Sequence, residues 1–324
     1  MSFKKEIIEL GVRVAWRQWS ALGVAGLSSN DESKLIDPEA LLLLTTVVGR
    51  HDPRLFDEVM DWLFTNASWI NLQRLKTYQK DYAIGENSVL EAIAQHLNNC
   101  AEHTKWKSLL KLCQPQDKPA QQLFIGVPDS RQTDPVFELH GWKRPPLRLR
   151  NMSRFPDVNR ADTFIFKLRA LFGRQARAEL IAWLLSHESG HPAQIARDLG
   201  YSRRAILMIL DEMTLSGHLN VSAHARDKLF FMSEEGWHFL ITWTASNAFP
   251  YWVPYVSIFA LLSEVMRVVE NPDFETSSDQ LQAIEINKAM LSNQIPQSSL
   301  SIDQNAKGHA YLTSVLDAFT QVLN

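Results

Sequence analysis

Two adjacent arginines, Arg203 and Arg204, follow a serine in the segment "GYSRRAILMILDEM". A guanidinium group is a permanently charged, planar donor that can bind a phosphate or the edge of a guanine through two parallel hydrogen bonds. At the N-terminus of a helix, a cation opposes the helix dipole at a local cost of about 0.3 to 1 kcal/mol. An anionic partner would offset that cost, so this pair is the first candidate for binding chemistry.

The surrounding pattern predicts two helices joined by a short turn. Pro192 suits the first turn of one helix, whose inward residues are Ile195 and Leu199. Gly200 supplies the left-handed conformation that ends this helix, and Ser202 suits the N-cap of the next. Helices separated by so short a turn must cross at a steep angle.

A third helix before this pair and a hairpin after it complete the predicted unit. Residues 176–188 place leucine and isoleucine at helical spacing. Residues 219–232 alternate in polarity and predict two strands with a turn near residues 225–228. The turn carries Arg226 and Lys228, cations that can contact phosphate or the minor groove.

The order of these elements resembles the winged helix-turn-helix of the ArsR-like and MarR-like bacterial transcription regulators. The resemblance is confined to residues 177–232, and it rests on "IARDLGYS", on a helix that ends "MTLSGHL" and on the charged hairpin. It implies that residues 202–211 form a recognition helix in the major groove, and that Arg226 and Lys228 contact the DNA backbone.

Carried onto this sequence, the resemblance assigns Ser202 to the start of the recognition helix. The outward positions that follow are Arg203, Arg204, Leu207, Met208 and Asp211. The arginines suit DNA, whereas Leu207 and Met208 offer base edges only apolar contact, for instance to thymine methyl groups. A protein-interaction adaptor, whose winged helix docks a protein partner, is therefore the alternative interpretation. Arg174 and Arg177, on the approach to the unit, are expected to neutralise phosphates.

Charge is distributed unevenly along the chain, although the net charge is only −3. Within residues 143–177, ten basic residues outnumber two acidic ones, for a net charge of +8. Within residues 234–324, ten acidic residues outnumber three basic ones, for a net charge of −7. The basic middle of the chain favours a polyanionic partner, and the acidic C-terminal part does not.

Length and loop-forming residues predict a mainly helical chain in four parts. These are a helical N-terminal domain (1–113), a proline-rich linker or strap (114–157), a winged helix-turn-helix domain of three helices plus a β-hairpin wing (158–245), and a helical C-terminal region (246–324). We expect a homodimer on double-stranded DNA, since two recognition helices about 34 Å apart can enter successive major grooves. A small-molecule or protein effector is left open.

Composition argues for the cytoplasm and against a membrane partner. Two cysteines are too few for a disulfide framework, and neither a secretion leader nor an apolar run of about 20 residues stands out. The sequence also lacks a phosphate-cradling glycine loop, a nucleophile elbow and a zinc-protease motif. We therefore expect neither an enzyme nor a bound cofactor.

A histidine–cysteine group and an acidic segment could also be ordinary surface residues. His96, Cys100 and His103 recur at i, i+4 and i+7 of a helix expected over residues 87–112, and with Cys113 they leave a zinc or copper site open, although ordinary surface residues also fit. The acidic segment "DPRLFDEVMDWL", which begins at Asp52, is expected to be a solvated helix face.

Overall fold

The computed structural model describes residues 2–26, 33–110, 119–128, 131–224, 227–241, 248–292 and 300–324. Within these ranges the chain is mainly helical, as the sequence predicts. None of the described helices combines the length and the apolar character needed to cross a bilayer.

Five helices form the N-terminal part, and the first four begin at a residue whose side chain caps the helix. They are α1 (Phe3–Ala21), α2 (Pro38–Val48), α3 (Pro53–Asn66), α4 (Leu72–Tyr82) and α5 (Asn87–Asn98). Asp37 caps α2 by accepting hydrogen bonds from the backbone N–H groups of Glu39 and Ala40 at 3.1 Å. Asp52 caps α3 in the same way through the N–H of Leu55 at 3.0 Å. Every residue of α2 is buried, as its continuous apolar sequence predicts.

The single helix expected over residues 87–112 is wrong. The chain leaves α5 after Asn98, and a separate 3₁₀ segment covers Ala101–Leu109. Within that segment His103 departs from helical geometry, with φ −119° and ψ 24°. The helical spacing that would have aligned His96, Cys100 and His103 on one face is therefore lost.

The described residues between 119 and 163 contain little regular structure. The elements there are β1 (Gln121–Gln122), α6 (Pro135–Leu139) and β2 (Trp142–Lys143). The two strands pair in parallel, with Gln121 opposite Trp142. The proline-rich composition of this part explains why longer elements do not form.

Four helices and an antiparallel hairpin follow, and the last three helices and the hairpin come in the order that the sequence predicts. The elements are α7 (Phe164–Phe172), α8 (Ala176–Leu185), α9 (Pro192–Leu199), α10 (Arg203–Leu215), β3 (Asn220–His224) and β4 (Asp227–Phe231). Val221 lies opposite Phe230 in the hairpin, and Phe230 also pairs with Gly190 just before α9. The hairpin is thereby fixed to the start of α9.

The C-terminal part is helical. Its helices are α11 (Glu234–Trp237), α12 (Tyr255–Val269), α13 (Asp279–Ser292) and α14 (His309–Leu323). α11 passes into a 3₁₀ turn at His238–Leu240, and residues 242–247 lie outside the described ranges. Buried apolar side chains from the N-terminal helices, from α7–α10 and from α12–α14 belong to one continuous cluster.

Candidate nucleic-acid interface

The first turn of α10 presents both arginines to solvent. Ser202 has an extended backbone (φ −69°, ψ 142°), and its hydroxyl oxygen accepts a hydrogen bond from the N–H of Ala205 at 3.2 Å. The predicted N-cap is thus confirmed, and the helix begins at Arg203. Arg203 and Arg204 are exposed, and neither forms an ion pair with any residue of the described ranges. Their donors are therefore available to an external anion.

Farther along α10 the outward face is mixed. Met208 is 54% exposed and Leu215 is 91% exposed. Asp211 is exposed as well, whereas Leu207 is half-buried and packs against the core. The cationic hydrogen-bond donors of this face therefore lie at the N-terminus of the helix, and Leu207 belongs partly to the core.

The turn before α10 depends on glycine for two reasons. Gly200 has φ +71° and ψ 35°, the left-handed conformation that other residues adopt at a cost. In addition, a Cβ at this position would lie 2.7 Å from a ring carbon of Tyr78 on α4. A buried side chain of the N-terminal region thus packs directly against the turn that orients α10.

Arg74 on α4 fixes the end of α9. Its Nε donates to the carbonyl oxygen of Leu199 at 3.0 Å, and its two terminal nitrogens lie 2.6 Å from Asp37 Oδ2 and 2.5 Å from Glu39 Oε2. The side chain is 1% exposed. Burial alone would lower the pKa of the guanidinium, but the negative charges around it, Asp37 foremost, raise it, so Arg74 is fully charged.

A second buried arginine, Arg169, connects Glu39 to Glu179 on α8. Arg169 contacts both oxygens of Glu39, at 2.9 and 2.8 Å, and its Nε and Nη2 donate to Glu179 Oε1 at 2.9 and 2.7 Å. All three side chains are fully buried. Because each charge has a partner, the helices that carry them, α2, α7 and α8, are tied together at defined positions.

Tyr201 connects this network to the turn. Its hydroxyl accepts a hydrogen bond from Asn71 Nδ2 at 2.6 Å and donates to Glu179 Oε2 at 3.4 Å. Burial, and then the Glu179 carboxylate, raises the pKa of the hydroxyl, so it remains a donor at neutral pH. The residues on both sides of Gly200, Leu199 and Tyr201, are therefore held by the same buried ionic network, which places the first turn of α10.

Two exposed arginines, one just before α8 and one in its first turn, already have partners within the protein. Arg174 lies with its Cζ 5.4 Å from the centre of the Trp69 ring and donates to the carbonyl oxygen of Ser68. The Nη2 of Arg177 lies 2.6 Å from Glu212 Oε2 on α10. Both remain exposed, but Arg177 would exchange a carboxylate for a phosphate on binding DNA.

The hairpin supplies one described cation near its tip. Lys228 in β4 is exposed and lies opposite Ala223 of β3. Arg226, the other tip residue expected from the sequence, lies outside the described residues.

The metal-binding hypothesis finds no support in the described ranges, where no group of three His, Cys, Asp or Glu side chains has a suitable arrangement. His96 Nε2 lies 3.0 Å from Asp134 Oδ1, and His103 Nε2 lies 2.9 Å from the carbonyl oxygen of Phe64. Both imidazoles thus serve local contacts. Cys113 lies outside the described residues.

The buried ionic network was not anticipated from the sequence. Its members are Asp37, Glu39, Asn71, Arg74, Tyr78, Arg169, Glu179 and Tyr201. Asp37 precedes Pro38, a sequence that favours an N-cap, and one of its oxygens caps α2 while the other binds Arg74. Charged residues on amphipathic helices are usually solvated, so the local pattern gave no indication of their burial.

A scan against protein-family models, a search of curated proteins and a search of solved structures each find no match to this chain.

Proposed function

We propose that this protein is a DNA-binding transcriptional regulator, in which α8, α9 and α10 with the β3–β4 hairpin form a winged helix-turn-helix. The observation that carries the proposal is the first turn of α10, where Arg203 and Arg204 are exposed without an ionic partner in the described structure. Such a helix end can enter the major groove and donate to guanine edges or phosphates.

Buried ionic contacts hold the turn before α10 in place, and this supports the same function. A recognition helix must hold its donors close to their productive geometry, because a misplaced hydrogen bond to a base edge loses its discrimination. Leu199 and Tyr201 flank the turn, and both are bonded to buried side chains of the network. Lys228 on the hairpin would contact a neighbouring phosphate.

We also propose that the active species is a homodimer formed through α13. Leu281, Ile284 and Leu291 are 54%, 53% and 62% exposed on this helix, with the exposed Lys288 between the last two. Spacings of three and four residues give a coiled-coil seam. The opposite face of α13, with Ile286 and Met290, is buried in the protein, so the helix is apolar on two sides.

The charges on this seam favour a second copy as its occupant. If two α13 helices cross antiparallel through the exposed face, about a two-fold axis level with position 286 along the helix, Leu281 of one copy faces Leu291 of the other. Glu285 of each copy then lies beside Lys288 of the other, giving two equivalent ion pairs. The same surface on both copies would therefore be self-complementary.

The direct test measures fluorescence anisotropy of random-sequence duplex DNA titrated with the wild-type protein at low salt and at increasing salt. We expect binding at tens of millimolar salt and a steep loss of affinity as salt rises, because phosphate contacts release counterions. A protein that binds no duplex at the lowest salt would overturn the proposal. A location in the cytoplasm, where a bacterial regulator meets its DNA, belongs to the same proposal.

A protein-interaction adaptor is the second candidate, and one observation favours it. Met208 and Leu215 lie seven residues apart on α10, on the same side of the helix, and both are exposed. They would form an apolar docking surface for a protein partner. Failure of DNA binding would leave this interpretation standing.

A further inference from the structure

An extended segment, residues 145–155 with the sequence "PPLRLRNMSRF", crosses the protein surface without helix or strand. We call it the strap. Its side chains Arg148, Arg150 and Arg154 are exposed, and so are the apolar Met152 and Phe155, which are 55% and 42% exposed. Alternation of arginine with apolar residues on an exposed segment occurs both in nucleic-acid contacts and in solvated loops. A contact surface for nucleic acid needs a fixed backbone, whereas a solvated loop does not.

The backbone of the strap is held by one carboxylate. Asp61 on α3 is 3% exposed, so it is not part of the solvated face expected from the sequence. Its Oδ1 accepts hydrogen bonds from the N–H groups of Arg150 and Asn151 at 2.8 and 2.6 Å. Its Oδ2 accepts from Met152 and Ser153 at 2.9 and 3.1 Å.

Four successive N–H groups can converge on one carboxylate because Asn151 has a positive φ of 54°. The arrangement resembles the backbone nests that bind anions, with the protein's own side chain as the anion. Burial alone would raise the pKa of Asp61, but the backbone N–H groups of Asn151, Ser153 and Met152 lower it, so the carboxylate is ionised at neutral pH. The strap is therefore a fixed surface.

The carboxylates around the strap are paired and turned inward. Glu58 on α3 is 2% exposed and contacts the Arg150 guanidinium. Asp134 is 3% exposed and accepts from the N–H of Leu147 at 3.1 Å. The exposed charged side chains of the strap are therefore all arginines. An exposed carboxylate, Asp157, follows two residues after the strap ends. Arg148 and Arg154 have no ion pair within the described residues.

A chain of contacts connects the strap to α10. The rings of Phe155 and Trp69 are 5.0 Å apart, and the Arg174 Cζ lies 5.4 Å from the centre of the Trp69 ring. Arg177, in the first turn of α8, contacts Glu212 of α10. The five exposed arginines Arg148, Arg150, Arg154, Arg174 and Arg177, with the two aromatic rings between them, form what we call the arginine strip.

We propose that the arginine strip binds the phosphate backbone of the DNA duplex that flanks the half-site contacted by α10. This inference rests on the proposed function and adds a second contact surface to it. The strip has the chemistry that duplex phosphates require, with spaced guanidinium groups on a fixed backbone.

The strip would add affinity without adding sequence information. Contacts to phosphate fix register and orientation, whereas base edges carry the sequence. The outward face of α10 carries the apolar Met208 and Leu215, so this helix can form few hydrogen bonds to bases. Phosphate contacts from the arginine strip would supply the affinity that those missing bonds do not. Each phosphate contact adds about 0.9 units to the slope of log affinity against log salt.

The test uses the variant R148A/R154A, whose two side chains have no described ionic partner, so the fold should be preserved. Salt titrations are run on random-sequence duplexes of about 12 and about 35 base pairs, which are long enough for the contact of α10 alone or for that contact with its flank. The matched control is K105A/K107A, which removes two exposed cations from another element. Unchanged unfolding midpoints confirm that all variants are folded.

We expect R148A/R154A to lower the salt slope by about two units on the long duplex and to leave the short duplex unchanged. An equal loss on both duplexes would put the two arginines within the half-site footprint and overturn the flank assignment. No loss on either duplex, while the wild type binds both, would remove the strip from the DNA interface and leave the proposed function standing. If the wild type binds neither duplex, the proposed function fails first, and the strip with it. Binding of single-stranded RNA in preference to duplex would also overturn the assignment.

Discussion

Arg74 on α4 donates a hydrogen bond from Nε to the carbonyl oxygen of Leu199, the last residue of α9, at 3.0 Å. The two residues are 125 positions apart in sequence. The bond satisfies a carbonyl at the C-terminus of α9 and at the same time fixes the start of the turn to α10. The N-terminal helices are thereby part of what positions the candidate DNA-contacting turn.

Replacing Arg74 with alanine should destabilise the protein by about 3 to 5 kcal/mol, because Asp37 and Glu39 would be left as buried, incompletely paired charges. Urea unfolding followed by circular dichroism measures the change. The control is R204A, an exposed arginine without a described partner, for which we expect a change of less than about 0.5 kcal/mol. Equal effects of the two substitutions would mean that the buried pairing contributes nothing.

Gly200 and Gly217 provide a matched comparison of backbone strain and close packing. Both have positive φ, +71° and +75°, but a Cβ at Gly217 would meet nothing within 4 Å, whereas one at Gly200 would meet the Tyr78 ring at 2.7 Å. We expect G217A to cost about 1 kcal/mol and G200A to cost about 1 to 3 kcal/mol more. Similar unfolding free energies for the two variants would show that Tyr78 does not confine the turn.

The sequence was informative about α9 and α10 because their boundaries are local. Gly200 and Ser202 act within a few residues of their own positions, so the break and the restart of the helix follow from residue type. The ionic network could not be predicted in this way, since Arg169 and Glu39 meet only after distant helices have packed. Periodicity alone makes such charges look solvated.

The acidic segment of α3 shows the same limit. Asp61 was assigned to a solvated face because its neighbours in sequence are also acidic, but its environment is decided by residues 150–153, which lie far along the chain. The prolines within residues 114–157 predict a linker there, but nothing in their pattern predicts that Asp61 anchors residues 150–153. The 3₁₀ segment after α5 was missed because its residues fit a helical pattern, and nothing in their types enforces the break at Cys100.

Stability should fall in acid partly through Asp134. Burial alone would raise the pKa of this carboxyl, but the hydrogen bond and charge of His96, with backbone N–H groups, lower the pKa to about 2. The pKa in the folded state is below the unfolded value, so the stabilisation is complete at neutral pH and is lost as pH falls from about 4 toward 2.

The variant D134N should therefore show a weaker dependence of its urea midpoint on pH over this range than the wild type. Asp157 is exposed, and D157N serves as the control with wild-type pH dependence. Parallel curves for D134N and the wild type would exclude Asp134 from the acid response.

The α13 seam should determine the oligomeric state. I284D places a charge in the centre of the seam and should convert a dimer to a monomer in sedimentation velocity runs. L139D changes another exposed leucine, 81% exposed on α6, and should leave the dimer intact. Charge reversal tests the pairing itself: E285K or K288E alone should weaken the dimer, and E285K/K288E together should restore it. A wild-type protein that is monomeric at all concentrations would contradict the assignment.

The most direct measurement is the affinity of R203A/R204A for random-sequence duplex DNA at low salt, by fluorescence anisotropy, beside K105A/K107A as the charge-matched control. Both pairs are exposed, so the unfolding midpoints should match that of the wild type. We predict that R203A/R204A loses binding by at least about 30-fold, since each arginine contact is worth roughly 1 to 3 kcal/mol, and that the control changes little. Wild-type affinity in R203A/R204A would show that the first turn of α10 does not contact DNA.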